Sequence, residues 1–289
     1  MTDAAFEARD RFGPLVAGST DTPTGPVTIR KCEALEEMEA CFALQKEVWK
    51  FSDADLIPIR MFVVASKIGG HVIGAFAEAK DEDKTKNKDS GVSQELVGFA
   101  VAIPGMRNGH GYLHSHMLGV RQQYRNGGLG RRIKLFQRED ALARGFDLME
   151  WTFDPLEIKN AYLNIEKLGA IARRYNVNQY GITSSPLQGN LPTDRLVAEW
   201  WLKSKRVEAV LADNACSSFE CRMGIMVPAE IYAWKADASS RSKALAVQER
   251  NRGQFTTAFA DGLSVLSYGR DENGSGRFLL GQWDERWRY

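Results

Sequence analysis

Val120-Arg121-Gln122-Gln123-Tyr124-Arg125-Asn126-Gly127-Gly128-Leu129-Gly130-Arg131-Arg132 joins an apolar, strand-like run (112–120) to a helix-like segment that ends near Gly145. Glycine has no Cβ, so the backbone of such a turn can approach a ligand closely. A helix N-terminus adds partial positive charge and unpaired N–H groups. Together they make a cradle for an anion, most naturally a phosphate or pyrophosphate. Four arginines, Arg121, Arg125, Arg131 and Arg132, stand in or beside it.

The spacing narrows the choice of ligand. No Lys-Ser/Thr follows the glycines, so the stretch is not a P-loop. Gly128-x-Gly130 is followed by Arg131, Arg132 and Ile133, so the third glycine of a dinucleotide fingerprint is missing. Downstream, Asp147 to Phe153 is a β-prone run bounded by Gly145 and by Asp154-Pro155. A helical stretch follows from about 156 to 168, stopped by Gly169.

Arg125-x-x-Gly128-x-Gly130 resembles the Arg/Gln-x-x-Gly-x-Gly/Ala turn of the GNAT (GCN5-related N-acetyltransferase) superfamily. Asn160-Ala161-Tyr162-Leu163-Asn164-Ile165-Glu166-Lys167-Leu168-Gly169-Ala170 is similar to that family's second conserved helix, and the resemblance covers roughly residues 95 to 175. Trp151-Thr152-Phe153-Asp154-Pro155-Leu156 and Pro192-Thr193-Asp194-Arg195 also resemble a long bacterial subgroup of such proteins.

Composition sets the outer bounds. A chain of 289 residues with 44% hydrophobic residues can bury a real core. Its net charge of +1 creates no global field for nucleic acid or an anionic membrane, so neither is expected as a partner. No run of eighteen apolar residues and no basic-then-apolar leader is present, which reads as a cytoplasmic protein. Cys216 and Cys221 have no histidine to complete a set with them, so no metal site is expected.

Along the chain, residues 1–26 read as an arm or linker, 27–185 as the core that the resemblance describes, and 186–289 as an extension. Apolar spacing predicts a helix over 34–49, strands at 61–65 and 72–79, a solvated charged loop at 80–93, and strands at 95–103 and 112–120. Later segments read as strands at 207–211 and 221–227, a helix at 239–260, and a closing hairpin at 262–268 and 277–280. The fold class is α/β (α+β in some schemes): a mixed, mostly antiparallel sheet flanked by helices. The extension packs on the core, lids the site or forms a homodimer interface; the sequence leaves these open.

The resemblance implies a chemistry. In GNAT proteins the cosubstrate is acetyl-CoA or another acyl-CoA, and the acceptor is an amine. Carried onto this chain, Arg125, Asn126, Gly127, Gly128, Leu129, Gly130 and Arg131 would hold the pyrophosphate. Leu118, Gly119 and Val120 would pair with the pantetheine arm, and Asn160 and Asn164 would bond its amides. The expected activity is direct acyl transfer to a small-molecule amine. The alternatives are a noncatalytic CoA-binding protein and a protein or peptide N-acetyltransferase. Family members often carry a tyrosine as general acid four residues before the glycine that closes the second helix; here that position is Ile165. Asn164 or Tyr162 could substitute, or water could protonate the thiolate. His116, His114 and Asp154 are the candidate bases. His116, Asp154 and Asn164 are the expected catalytic set.

Overall fold

A computed structural model of the chain describes residues 20–22, 25–78, 94–181, 183–212 and 219–285. The charged loop expected at 80–93, and most of the N-terminal arm, lie outside the described residues. Eleven strands form one sheet: β1 (Thr20–Thr22), β2 (Gly25–Lys31), β3 (His71–Glu78), β4 (Gln94–Arg107), β5 (His110–Val120), β6 (Leu148–Phe153), β7 (Ile171–Asn176), β8 (Arg195–Trp201), β9 (Met223–Val227), β10 (Leu263–Arg270) and β11 (Gly276–Gln282). Their spatial order is β1-β2-β3-β4-β5-β6-β8-β7-β10-β11-β9. Every pairing is antiparallel except that of β5 with β6. The expected mixed, mostly antiparallel sheet with flanking helices is therefore what forms.

Hairpin chemistry sets the central register. Asn108 and Gly109 both take positive φ between β4 and β5, the conformation a two-residue turn needs to match strand twist. Helices α1 (Leu35–Trp49) and α2 (Ile59–Lys67) cover one face of β3–β5, where Met38, Cys41, Leu44, Phe62 and Phe99 pack. Helix α3 (Leu129–Ala143) covers the other face through Leu129 and Ile133 against Ile73, Ala100 and Val120. Helix α4 (Ile158–Tyr162) continues as a π turn over Leu163–Lys167.

Two expected strands are helices. Residues 61–65 lie in α2, whose Phe62 and Ala65, three positions apart, are the ones that become buried. Residues 207–211 lie in α5 (Lys205–Leu211), started by Ser204, whose hydroxyl accepts the Val207 N–H at 3.2 Å. In both, a β-branched run looks strand-like, and packing and capping decide otherwise.

Residues past 185 enter the sheet directly. β8 inserts between β6 and β7, and β10, β11 and β9 continue beyond β7. The largest apolar cluster joins Trp151, Ile165 and Leu168 to Trp200, Ile225, Phe255 and Phe278. α6 (Ile231–Ala236) and α7 (Arg241–Ala260) complete the structure. At the outer edge, the Met226 carbonyl of β9 accepts from Arg250 Nη2 at 2.8 Å and Asn251 Nδ2 at 3.1 Å, both on α7. Among the described residues, no helix is long and apolar enough to cross a membrane.

Candidate acyl-donor cleft

β5 and β6 run side by side for only two residue pairs, Leu113 with Met149 and His114 with Glu150, and then part. The gap opens into a cleft of about 700 Å³. Its walls come from β5 (Ser115 to Leu118), β6 (Trp151 to Phe153), α4 with its π turn (Asn160, Leu163, Asn164), and Trp49 at the end of α1. Along the other edge β5 stays fully paired with β4, through Leu118 with Ala100, Gly119 with Phe99 and Val120 with Gly98. Gly119 is required there, since a Cβ would come within 2.9 Å of the Trp49 ring and 3.2 Å of Phe99.

Arg125, the first residue of the glycine turn, borders this cleft, and Asn126 to Gly130 follow it. Gly128 has φ +80° and ψ 0°, and no side chain caps the helix that follows. Arg132 is the first residue whose N–H reaches back to a turn carbonyl, that of Gly128 at 3.1 Å. The amides before it at the head of α3 are thus the ones a helix leaves for a ligand. Asn126, also at positive φ, and Gly127 are exposed, and Leu129 is buried as the anchor of the turn. Gly130 has only ordinary contact space, with Leu118 3.6 Å from a built Cβ.

The arginines divide. Arg125 borders the cleft and is oriented by a bond from its Nε to the Val120 carbonyl at 2.7 Å. Arg131 donates to the Lys167 carbonyl at 3.1 Å, tying α3 to the end of the π turn. Arg121 is engaged by Glu47 and Glu95.

Asn164 is 2% exposed, borders the cleft, and its Nδ2 has no hydrogen-bond partner among the described residues. A buried amide nitrogen left without an acceptor is costly, and it marks a place where a ligand carbonyl fits. Asn160 is exposed on the same wall. Ile165, at the usual acid position, is fully buried in the main apolar cluster. Tyr162 faces away from the cleft, with Lys167 and Arg270 over its ring at 5.5 and 4.8 Å.

Of the histidines, His116 borders the cleft and His114 does not. Val101 pairs with Met117 and Ala102 with Ser115, so His116 is the extra residue of a β-bulge, a device that re-aims a side chain. The residue keeps an exposed surface, while partial burial holds its imidazole below the ordinary histidine range and so favours the neutral ring. Its ring lies 6.0 Å from that of His114. Burial, then His116, Lys134, Arg174 and Arg107, push His114 down to about 4.

Asp154 borders the cleft with both oxygens engaged: Oδ1 accepts the Leu156 N–H at 2.8 Å and Oδ2 accepts from Lys235 Nζ at 2.9 Å. Lys235 also reaches Glu157 at 2.8 Å. Asp154 thus anchors the start of the α4 segment to α6, with one bond on each carboxylate oxygen.

Two further residues border the cleft: Tyr180, which the motifs did not single out, and Arg195, which lies in the Pro192-Thr193-Asp194-Arg195 stretch. Tyr180 follows β7, and its hydroxyl lies 2.9 Å from Thr152 Oγ1. Arg195 packs on the Tyr180 ring at 5.5 Å and bonds the Gln188 side chain at 3.2 Å. Its neighbour Asp194 pairs instead with Arg252 and Tyr175. Asp55, Thr183 and Ser185 border the cleft as well. Asp55 accepts from the Ser184 N–H and hydroxyl, Ser185 donates to the Trp49 carbonyl, and Tyr232 and Lys235 of α6 complete the wall. A smaller cavity of about 210 Å³ beside Phe219 and Trp283 holds none of the expected residues.

No family model matches the chain, and no curated protein matches it. Solved structures do. The chain is similar to the ribosomal-protein-S18-alanine N-acetyltransferase from Escherichia coli at 15% identity, over 62% of this chain and 95% of that one, with a TM-score of 0.44. An acetyltransferase of the GNAT family from Streptococcus pneumoniae matches at 17% identity, over 60% and 97%, with a TM-score of 0.43. An N-acetyltransferase from Staphylococcus aureus Mu50 matches at 14% identity, over 61% and 99%, with a TM-score of 0.45. Each of these structural neighbours is named an acetyltransferase, and the likeness is one of fold.

Proposed function

We propose that this chain is an acyl-CoA-dependent N-acyltransferase of the GNAT type, most simply an acetyltransferase, which acylates an amine of a small molecule by direct transfer. One observation carries the reading: the β5/β6 gap opens onto a cleft bordered by Arg125, and the exposed glycine turn and uncapped head of α3 follow that residue directly in the chain. A diphosphate fits the amides at that head with Arg125 beside it, and an extended arm fits the unpaired β6-facing edge of Leu118, Gly119 and Val120. Asn164 Nδ2, with Asn160 on the same wall, suits the arm's amide carbonyls. On this reading the acyl-CoA-binding part runs from β2 through β8.

Transfer forms a C–N bond and breaks a C–S bond. The acceptor nitrogen attacks the thioester carbonyl, its proton passes to neutral His116 directly or through one water, and the CoA thiolate departs. The Tyr180 hydroxyl, held by Thr152, is the group suited to protonate that thiolate, a role Ile165 cannot fill. Asp55 and Ser185, with Tyr232 and Lys235 of α6, flank the space in which a small acceptor would lie.

Calorimetry with CoA, followed by turnover of isotope-labelled acetyl-CoA against amine panels, tests the reading. Absence of CoA binding removes it. CoA binding without turnover on any amine would leave a binding protein, and turnover on peptides alone would make it a peptide acetyltransferase.

A further inference from the structure

A lysine sits at the apex of the β5/β6 gap. Past the last paired residues, the first side chains to part are Ser115 and Trp151. Lys134, from α3, reaches between them: its Nζ donates to Ser115 Oγ at 2.8 Å and lies 3.7 Å from the centroid of the Trp151 ring. The residue is 4% exposed, yet it borders the cleft.

Among the described residues no carboxylate pairs with it. Burial disfavours its charged form and pushes the amine well below the ordinary lysine range, so an arriving carboxylate is what would restore the charge. The Ser115 hydroxyl donates to Gln137 Oε1 at 3.1 Å, Gln137 Nε2 donates to His71 Nε2 at 2.9 Å, and His71 Nδ1 donates to Asp140 at 2.7 Å. This chain of bonds leads away from the cleft. The carboxylate at its end is already held by Lys31 and Arg144, each at 2.5 Å. A buried amine with a single hydrogen bond is expensive to keep, and such groups concentrate where a ligand completes them.

The position along the strand says which part of a ligand arrives there. Ser115 stands five residues before Val120, about 16 Å at roughly 3.3 Å per residue. An arm whose diphosphate sits at the glycine turn therefore brings its thioester end, and the acyl group beyond it, to Lys134. We propose that Lys134 is the counter-ion for a carboxylate at the far end of the acyl group, so that the preferred donor is the CoA thioester of a dicarboxylic acid. This rests on the acyl-CoA reading above and specifies its donor.

Calorimetry on the full chain with CoA, acetyl-CoA, butyryl-CoA and succinyl-CoA tests it without any knowledge of the acceptor. Butyryl and succinyl chains match in length, and only the latter ends in a carboxylate. Succinyl-CoA is expected to bind at least about tenfold tighter than butyryl-CoA, the scale of one charge-assisted bond. Lys134→Met should abolish that advantage while leaving acetyl-CoA affinity unchanged, and Ser115→Ala, which keeps the amine, should retain it. Equal affinity for the two chains in the unmodified protein overturns the proposal, whether or not the Met variant folds. An equal loss of acetyl-CoA and succinyl-CoA affinity in Lys134→Met also overturns it, since the amine would then serve the thioester itself. If CoA and all its thioesters fail to bind, the acyltransferase reading falls together with this one.

Discussion

Asn164 keeps a polar nitrogen in the interior without a protein partner, so its replacement separates binding from folding. Asn164→Leu should weaken CoA binding about five- to tenfold, the worth of one hydrogen bond, while thermal unfolding stays where it was or rises. Calorimetry and a melting curve on one preparation check both. His116 and His114 make opposite use of low-lying pKa values. On the proposed reading His116 is the neutral base; burial holds it below the ordinary value of about 6.5, so the acid limb of kcat/KM should fall below that pH, and His116→Asn should remove it. His114 stays neutral in the native state down to about 4, whereas the unfolded chain takes up a proton near 6.5. Stability from this site is therefore complete above that upper value and lost as pH falls toward the lower one. Urea midpoints measured across the window should decline, and His114→Gln should flatten the decline. Motif spacing pointed at Asn164, which borders the cleft, whereas alternation would set His114 and His116 on one face and the bulge at His116 brings only His116 to the cleft. Lys134 was not legible in the sequence: it follows Arg131 and Arg132, and a lysine in such company looks like one more residue on a solvated helix face. Only the packing of α3 over Trp151 reveals it.

Among the elements, the turn into α3 was the best specified by sequence, because each of its features is local. Gly128 supplies a left-handed conformation that a side chain resists by about 1 kcal/mol or more. Gly128→Ala should lower stability by about that amount and weaken CoA binding further, as the amides at the head of the helix shift; denaturant titration and calorimetry check the pair. The second helix was legible in outline, but its π turn was not. Between Leu163 and Lys167 the helix carries an extra residue, so Ile165 turns into the core and Asn164 toward the cleft. π turns recur at functional sites for this reason. The two misread strands share a cause. Residues 61–65 and 207–211 are rich in β-branched side chains, but a cap at Ser204 and a buried face on α2 outweigh so weak a preference.

For the whole molecule, the sequence indicated a sheet flanked by helices but not how completely the later residues join it. β8 lies between β6 and β7, and Ile225, Val227, Phe255 and Phe278 share one core with Trp151 and Leu168. Such long-range pairing leaves no local trace, since a strand's period is the same whichever neighbour it finds. A chain ending at Ala212 should therefore lose cooperative folding, with soluble yield and far-UV circular dichroism as the readout. The sheet's far margin has a further consequence. Arg250 and Asn251 occupy the outward carbonyl of Met226, so the last strand offers an incomplete template to another chain. Strand-by-strand growth into fibrils is blocked there by two side chains of one helix, and solubility at high concentration becomes a property of α7. Replacing both with alanine should turn that quiet border adhesive, and light scattering would register the resulting self-association.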